Sequence, residues 1–283
     1  MPLILVAGAG AGSGATTVAV GLAHRFASAG RTVRLERLGG DPRAVADAAV
    51  FGGLDFVEAS GSPVGAASVA EAPGFVTILE AATGEEALAL AQRLGARLVV
   101  VGRAGTLTVP PGATGIENHA PDGIGALRLS EDRLLAAPTV GRLIEASGAT
   151  VLSRSAEGEA AICEHLVIGA ISHDSADTYF QRFPRRAVIT RAEKVDIALA
   201  AMLTDSECLI LTGGHEPSPY VLDRAASTRR TTLLLAPGGT VETMRDVEGT
   251  FGTAPFSGEA KVERAGELMR GVVDDATLAA LGA

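Results

Sequence analysis

The chain has 283 residues, 47% of them hydrophobic and 4% aromatic, with 24 Lys and Arg against 33 Asp and Glu for a formal charge of −9. That apolar content excludes disorder as the main state, and the length allows one large domain or two ordinary ones. An acidic balance without a basic stripe argues against nucleic acid as a partner, and no apolar run is long enough to span a membrane.

Few aromatics and many small residues suit helices packed closely on a sheet. Cys163 and Cys208 are too few for a disulfide framework, and no Cys/His cluster offers a zinc site. Lying beside Ile162 and Leu209, they read as buried reduced thiols, which fits a cytoplasmic protein.

In chain order, Leu3–Ala7 is a short apolar run of the kind found in buried parallel strands, too short for a signal-peptide core. A burst of glycines follows. Then Val18, Leu22 and Phe26, four apart, predict a helix over Ala15–Ala29 that stops at Gly30. Val33–Leu38, Phe75–Ala81 and Leu98–Val101 predict further strands, with a helix at Glu85–Leu94. Residues 104–126 are rich in Gly and Pro and read as an irregular connection. Beyond it strands are predicted at Val167–Ala170, Ala187–Thr190, Cys208–Thr212 and Thr232–Ala236. Helices are predicted at Ser175–Phe183, Asp196–Leu203, Pro219–Ala226 and Thr240–Thr250. This alternation predicts an α/β protein of two domains, the first a parallel sheet with crossover helices.

The glycine burst, Gly8-Ala-Gly10-Ala-Gly12-Ser13-Gly14-Ala15-Thr16-Thr17, lies where a phosphate-binding loop would, between first strand and first helix. Glycines let backbone N–H groups curl round a phosphate, and the helix dipole points at it. The strict pattern G-x-x-x-x-G-K-[ST] fails twice, because Ala9 stands five before Gly14 and Ala15 holds the lysine position. Thr16 can still offer a hydroxyl to magnesium. Gly8-x-Gly10-x-x-Ser13 also approximates a dinucleotide fingerprint. The loop therefore reads as a nucleotide site that binds without hydrolysing, as a relic turn kept for packing, or as a working ATP site. Leu98–Val101 is followed by Gly102-Arg103, with no acid there to hold magnesium. Arg37 is a phosphate partner or a surface cation, and Asp41 a solvated turn residue.

At these residues the chain resembles dethiobiotin synthetase-like proteins, whose lengthened loop G-x5-G-K-[ST] matches Gly8, Gly14, Ala15 and Thr16 with the lysine lost. Arg37 falls where that family often carries a second lysine. Downstream, Glu131–Gly141 is similar to a junction in the amino-terminal half of long bacterial phosphotransacetylases. Val167–Ala170, Ala187–Thr190, Asp196–Ala201, Cys208–Gly214 and Glu259–Glu263 resemble the DRTGG domain. Two departures stand out. Arg191-Ala-Glu193-Lys194 replaces the Gly-Gly-Asp-Arg that the family carries after its threonine, and nothing in the 283 residues resembles the phosphotransacetylase catalytic domain, so that activity is not expected. The resemblance implies a degenerate P-loop domain over residues 1–130 and a DRTGG-like domain with its linker over 131–283.

Thr212-Gly213-Gly214-His215 closes a strong strand and reads as a binding loop or a tight turn. Thr190 joins it as a candidate through the resemblance. Ser172-His173-Asp174 has the residue types of a catalytic triad, but neighbours in sequence cannot converge as one, so a helix cap is expected. Asp196 reads as a helix N-terminal partner, and Lys261 and Glu263 as an exposed charged face. No catalytic or metal-ligating residue is assigned. The expected role is that of a non-catalytic regulator, a homodimer or one that reports to a protein partner, binding ATP, AMP or a similar small anion, with magnesium only if the loop is functional. The rivals are an ATP-dependent ligase or phosphotransferase and a structural scaffold.

Overall fold

The structure is a computed structural model that describes residues 2–69, 73–81, 86–121, 125–170 and 173–283, the side chains of 173–176 excepted. Two compact units divide the chain, Met1–Leu135 with Pro255–Ala283, and Ala136–Ala254. The sequence reading carries the second domain through residue 283; in the structure Pro255–Ala283 packs with the first unit instead.

The first unit runs β1 (Leu3–Gly8), α1 (Ala15–Ser28), β2 (Thr32–Arg37), α2 (Ala44–Gly52), β3 (Phe75–Ala81), α3 (Ala87–Leu94), β4 (Arg97–Arg103), β5 (Thr114–Ala120) and β6 (Arg128–Ser130). Its sheet is parallel in the order β2-β3-β1-β4-β5-β6. β1 is central, so its residues are buried on both faces: Ile4 and Val6 pack into one apolar layer, Leu5 and Ala7 into the other. Strand β5 lies inside the segment expected to be irregular. The β4–β5 connection has no α-helix; Leu107 and Val109 pack there instead, close against Gly102 and Gly115, where a Cβ would overlap them.

A single turn α4 (Arg133–Ala136) leads to the second unit: α5 (Val140–Ser147), β7 (Thr150–Ser153), β8 (His165–Ile168), α6 (His173–Phe180), β9 (Arg186–Arg191), α7 (Val195–Leu203), β10 (Cys208–Thr212), α8 (Pro219–Thr228), β11 (Thr232–Leu235) and α9 (Thr240–Glu248). Thr139 caps α5 by accepting from the Arg142 amide at 3.4 Å, and Gly148, at φ 61°, ends it. The order β7-β11-β10-β9-β8 is parallel except for β7, which runs antiparallel to β11. Cys163 and Cys208 are free and fully buried in one of its two apolar layers.

The chain closes with α10 (Glu259–Val272) and α11 (Asp275–Leu281). Helix α10 lies along α1 so closely that a Cβ at Gly21 would sit 2.9 Å from the Ala265 carbonyl oxygen. The expected charged face at Lys261 and Glu263 is half correct. Glu263 is exposed, but Lys261 is wholly buried and donates from Nζ to the Leu135 carbonyl at 3.1 Å. Burial lowers its pKa to about 8. No helix among the described residues is long and apolar enough to cross a membrane.

Candidate functional site

In the first sheet the connection leaving β1 runs towards β2 and the one leaving β4 runs the other way, towards β5. β1 and β4 are neighbours, so a crevice opens beyond their carboxyl ends, the place where open α/β sheets bind ligands. The glycine loop fills that position. Gly8 ends β1, Ala9 donates to Val101 O at 2.8 Å and Ser13 to Gly10 O at 3.3 Å.

The amides of Gly10, Ala11, Gly12, Gly14, Ala15, Thr16 and Thr17 donate to no acceptor among the described residues. Gly12 (φ 71°) and Gly14 (φ 87°) adopt left-handed backbone, the kind of conformation from which concave arrays of N–H groups are built. Ala9 to Gly12 are exposed, and no acidic residue in the first turn of α1 offsets its dipole. This geometry is what an anion needs from backbone alone. No cationic side chain joins it from the loop itself.

Below the loop sits a charged cluster. Thr16 donates from Oγ1 to Glu80 Oε1 at 2.8 Å. Glu80, near the end of β3, is 3% exposed, and its Oε2 has no hydrogen-bond partner among the described residues. Burial lifts its carboxyl to about 7, against the pull of the Arg37 guanidinium and the Thr16 hydroxyl. Arg37 Nε lies 3.3 Å from Asp47 Oδ2 and 3.8 Å from Glu80 Oε2. Its Nη1 donates to Leu38 O at 2.7 Å and its Nη2 to Asp41. Burial also raises Asp47, while Asp41, although burial opposes it, is held low by hydrogen bonds from Arg37 and the Arg43 amide. Arg37 is therefore neither a surface cation nor free to meet a phosphate. It braces three carboxylates.

The end of β4, where an acid to hold magnesium would be expected, carries none. The acid is Glu80, in the strand on the other side of β1, where the register sets Val6 beside it. Asn118, at the end of β5, also went unrecognised. It donates from Nδ2 to Ser13 O at 3.0 Å.

The second unit treats its candidates differently. Its strands β8 to β11 lie side by side in sequence order, so their crossovers all run the same way and none of them diverges as β1 and β4 do in the first sheet. Thr190 donates from Oγ1 to Gly169 O at 3.0 Å, and Thr212 from Oγ1 to Thr190 O at 3.2 Å. Gly213 and Gly214 spend their amides on Gly238 O (2.8 Å) and Ala236 O (3.2 Å). These four residues tie strand ends together. The Arg191–Lys194 turn closes without the family's glycines, with Arg191 Nε 2.8 Å from Glu193 Oε1. Asp196 lies in the first turn of α7, as expected. Of the Ser172-His173-Asp174 triplet, Ser172 and the other two side chains lie outside the described residues. No group of three His, Cys, Asp or Glu that could hold a metal occurs among the described residues.

The architecture is thus a mixed α/β chain with a glycine loop at the switch point of a parallel sheet, followed by a second α/β unit. Residues 142–250 match the DRTGG domain family, so a DRTGG domain is present there. The Glu259–Glu263 segment lies outside the matched residues, in α10. Among solved structures, the chain is similar to the CBS and DRTGG domains of the regulatory region of Clostridium perfringens pyrophosphatase, complexed with its activator diadenosine tetraphosphate. The identity is 18% over 43% of this chain and 52% of that one, with a TM-score of 0.34. The chain spans about half the length of that structure.

Proposed function

We propose that this chain is a non-catalytic regulatory protein whose glycine loop binds a small anion, an adenine nucleotide by family resemblance. The observation that carries the reading is the nest of unengaged amides between Gly10 and Thr17 at the switch point of the first sheet. The dipole of α1 adds to it. Backbone donors suffice to hold a phosphate; transfer of that phosphate asks for a cation on the developing charge. Ala15 supplies none, and Arg37 is committed to Asp41, Asp47 and Glu80. The DRTGG domain supports a regulatory role, with occupancy reported to a protein partner or within a homodimer.

One observation favours the rival reading of an ATP-dependent ligase or phosphotransferase. Thr16, in the first turn of α1, and Glu80, on β3, bring two hard oxygen ligands 2.8 Å apart, and Glu80 Oε2, which accepts no hydrogen bond among the described residues, suits a magnesium ion that would neutralise phosphate charge. Calorimetry with ATP, ADP and AMP, with and without magnesium, separates the two. Heat with a nucleotide and no phosphate release supports the regulator. Release above background supports the enzyme, and no heat with any nucleotide sinks the binding idea. Restoring the cation by Ala15→Lys is expected to tighten ATP binding at least about tenfold, the order of one charge-assisted contact. Unchanged affinity would mean that the loop is a relic.

A further inference from the structure

We propose that Asn118 is the positioning residue of the glycine loop, a latch that reaches from the end of β5 across β4 and holds Ser13–Gly14 in the shape that aims the amides. The inference rests on the reading of that loop as an anion site.

Three features of separate origin meet at this contact. Asn118 donates from Nδ2 to Ser13 O at 3.0 Å and accepts at Oδ1 from the His119 amide at 2.9 Å. The two contacts together fix which end of the carboxamide is which, since a flipped group would set donor against donor and acceptor against acceptor. Next, Gly14 is left-handed at φ 87°, and a Cβ there would overlap Asn118 Nδ2. Glycine is needed at this position twice over, for its backbone angle and for the room it leaves the carboxamide. Finally, His119 is a non-glycine residue at φ 56°, a conformation with a cost of its own for an L-residue. That strained turn begins directly after Asn118, and the Asn118 carbonyl is itself held by the Ala104 amide at 2.8 Å.

The physical consequence is preorganisation. An exposed loop with seven unengaged amides and four glycines, Gly8, Gly10, Gly12 and Gly14, would sample many shapes, and a tie at its last peptide narrows them.

 Ordering such a loop when the ligand arrives would cost affinity, and a latch already in place lowers that cost.

The test is made on the full chain. In the ligand-free protein, amide exchange at Ser13 and Val18, whose N–H groups close the loop onto Gly10 O and Gly14 O, is expected to quicken at least about tenfold in Asn118→Ala. Asn118→Asp, which sets a carboxylate oxygen against Ser13 O, is expected to do the same, with the rest of the sheet unchanged. Loop exchange equal to wild type in both variants overturns the latch, and so does acceleration spread evenly over β4 and β5. Should neither variant fold, the Asn118 carboxamide protons of the unaltered chain decide: protected from solvent they support the latch, and freely exchanging they refute it. Calorimetry with AMP and with inorganic phosphate then reads the consequence, an affinity loss of about fivefold in Asn118→Ala for one hydrogen bond. If wild type binds neither probe, the anion-site reading fails, while the exchange result still judges the latch.

Discussion

Replacing Gly266 by alanine sets two opposing effects against each other inside α10. Alanine is the better helix former by about 0.8–1.0 kcal/mol, so at an open helix position the change would stabilise. Gly266 is not open. A Cβ there would overlap the imidazole of His24 on α1, whose ring also meets Phe56 edge-on, with centroids 5.2 Å apart and planes at 77°. Forcing an extra carbon into such a contact costs about 1–3 kcal/mol, and losing the ring pair costs about 0.5–1.5 kcal/mol more. The steric loss wins, and the variant is expected to be less stable by about 1–3 kcal/mol in equilibrium urea denaturation. The same change in a His24→Ala background should reverse sign and stabilise by about 1 kcal/mol, because propensity then acts alone. A Gly266→Ala variant as stable as wild type, or a second change with no reversal, would refute the proposed fit of α1 against α10.

Two further outcomes are expected. Burial raises Glu80 to about 7 from its ordinary 4.5, so the folded chain retains a proton there that the unfolded chain sheds first. The contribution is whole below about pH 4.5 and lost as pH rises through 7, so Glu80→Gln should gain about 3 kcal/mol on wild type between pH 5 and pH 8; parallel pH–stability curves would disprove it. Burial also pushes the thiols of Cys163 and Cys208 up, so neither should react with an aromatic disulfide reagent in the native chain, and both should in urea. A fast native thiol would contradict the buried placement.

The most legible strands are those whose environment favours apolar residues at most positions. Phe75–Ala81 and Cys208–Thr212 are flanked by strands on both sides and covered on both faces, so apolar runs announce them. β5, Thr-Gly-Ile-Glu-Asn-His-Ala, gives no such signal. Only Ile116 and Ala120 are buried, and its polar end serves the glycine loop. Glu80 sits inside an apolar run and becomes meaningful only once pairing sets β3 beside β1. For Lys261 a signal was present: it falls on the stripe of Ala265, Leu268 and Val272, spaced three to four apart, where a charge is out of place. The fold class followed from periodicity, whereas the site depends on which strands become neighbours.

The first unit is discontinuous along the chain, and the second is not. During synthesis from the amino terminus, β1 to β6 emerge first but lack the two helices that complete their apolar layer, since Ala265, Leu268, Met269 and Leu278 belong to the same cluster as Val18, Leu22 and Phe26. The DRTGG-bearing unit, contiguous over Ala136–Ala254, has all its strands before α10 leaves the ribosome. The unit that starts before the DRTGG-bearing one is therefore completed after it, and the helix that opens at the glycine loop gains its full packing only once α10 and α11 have been made.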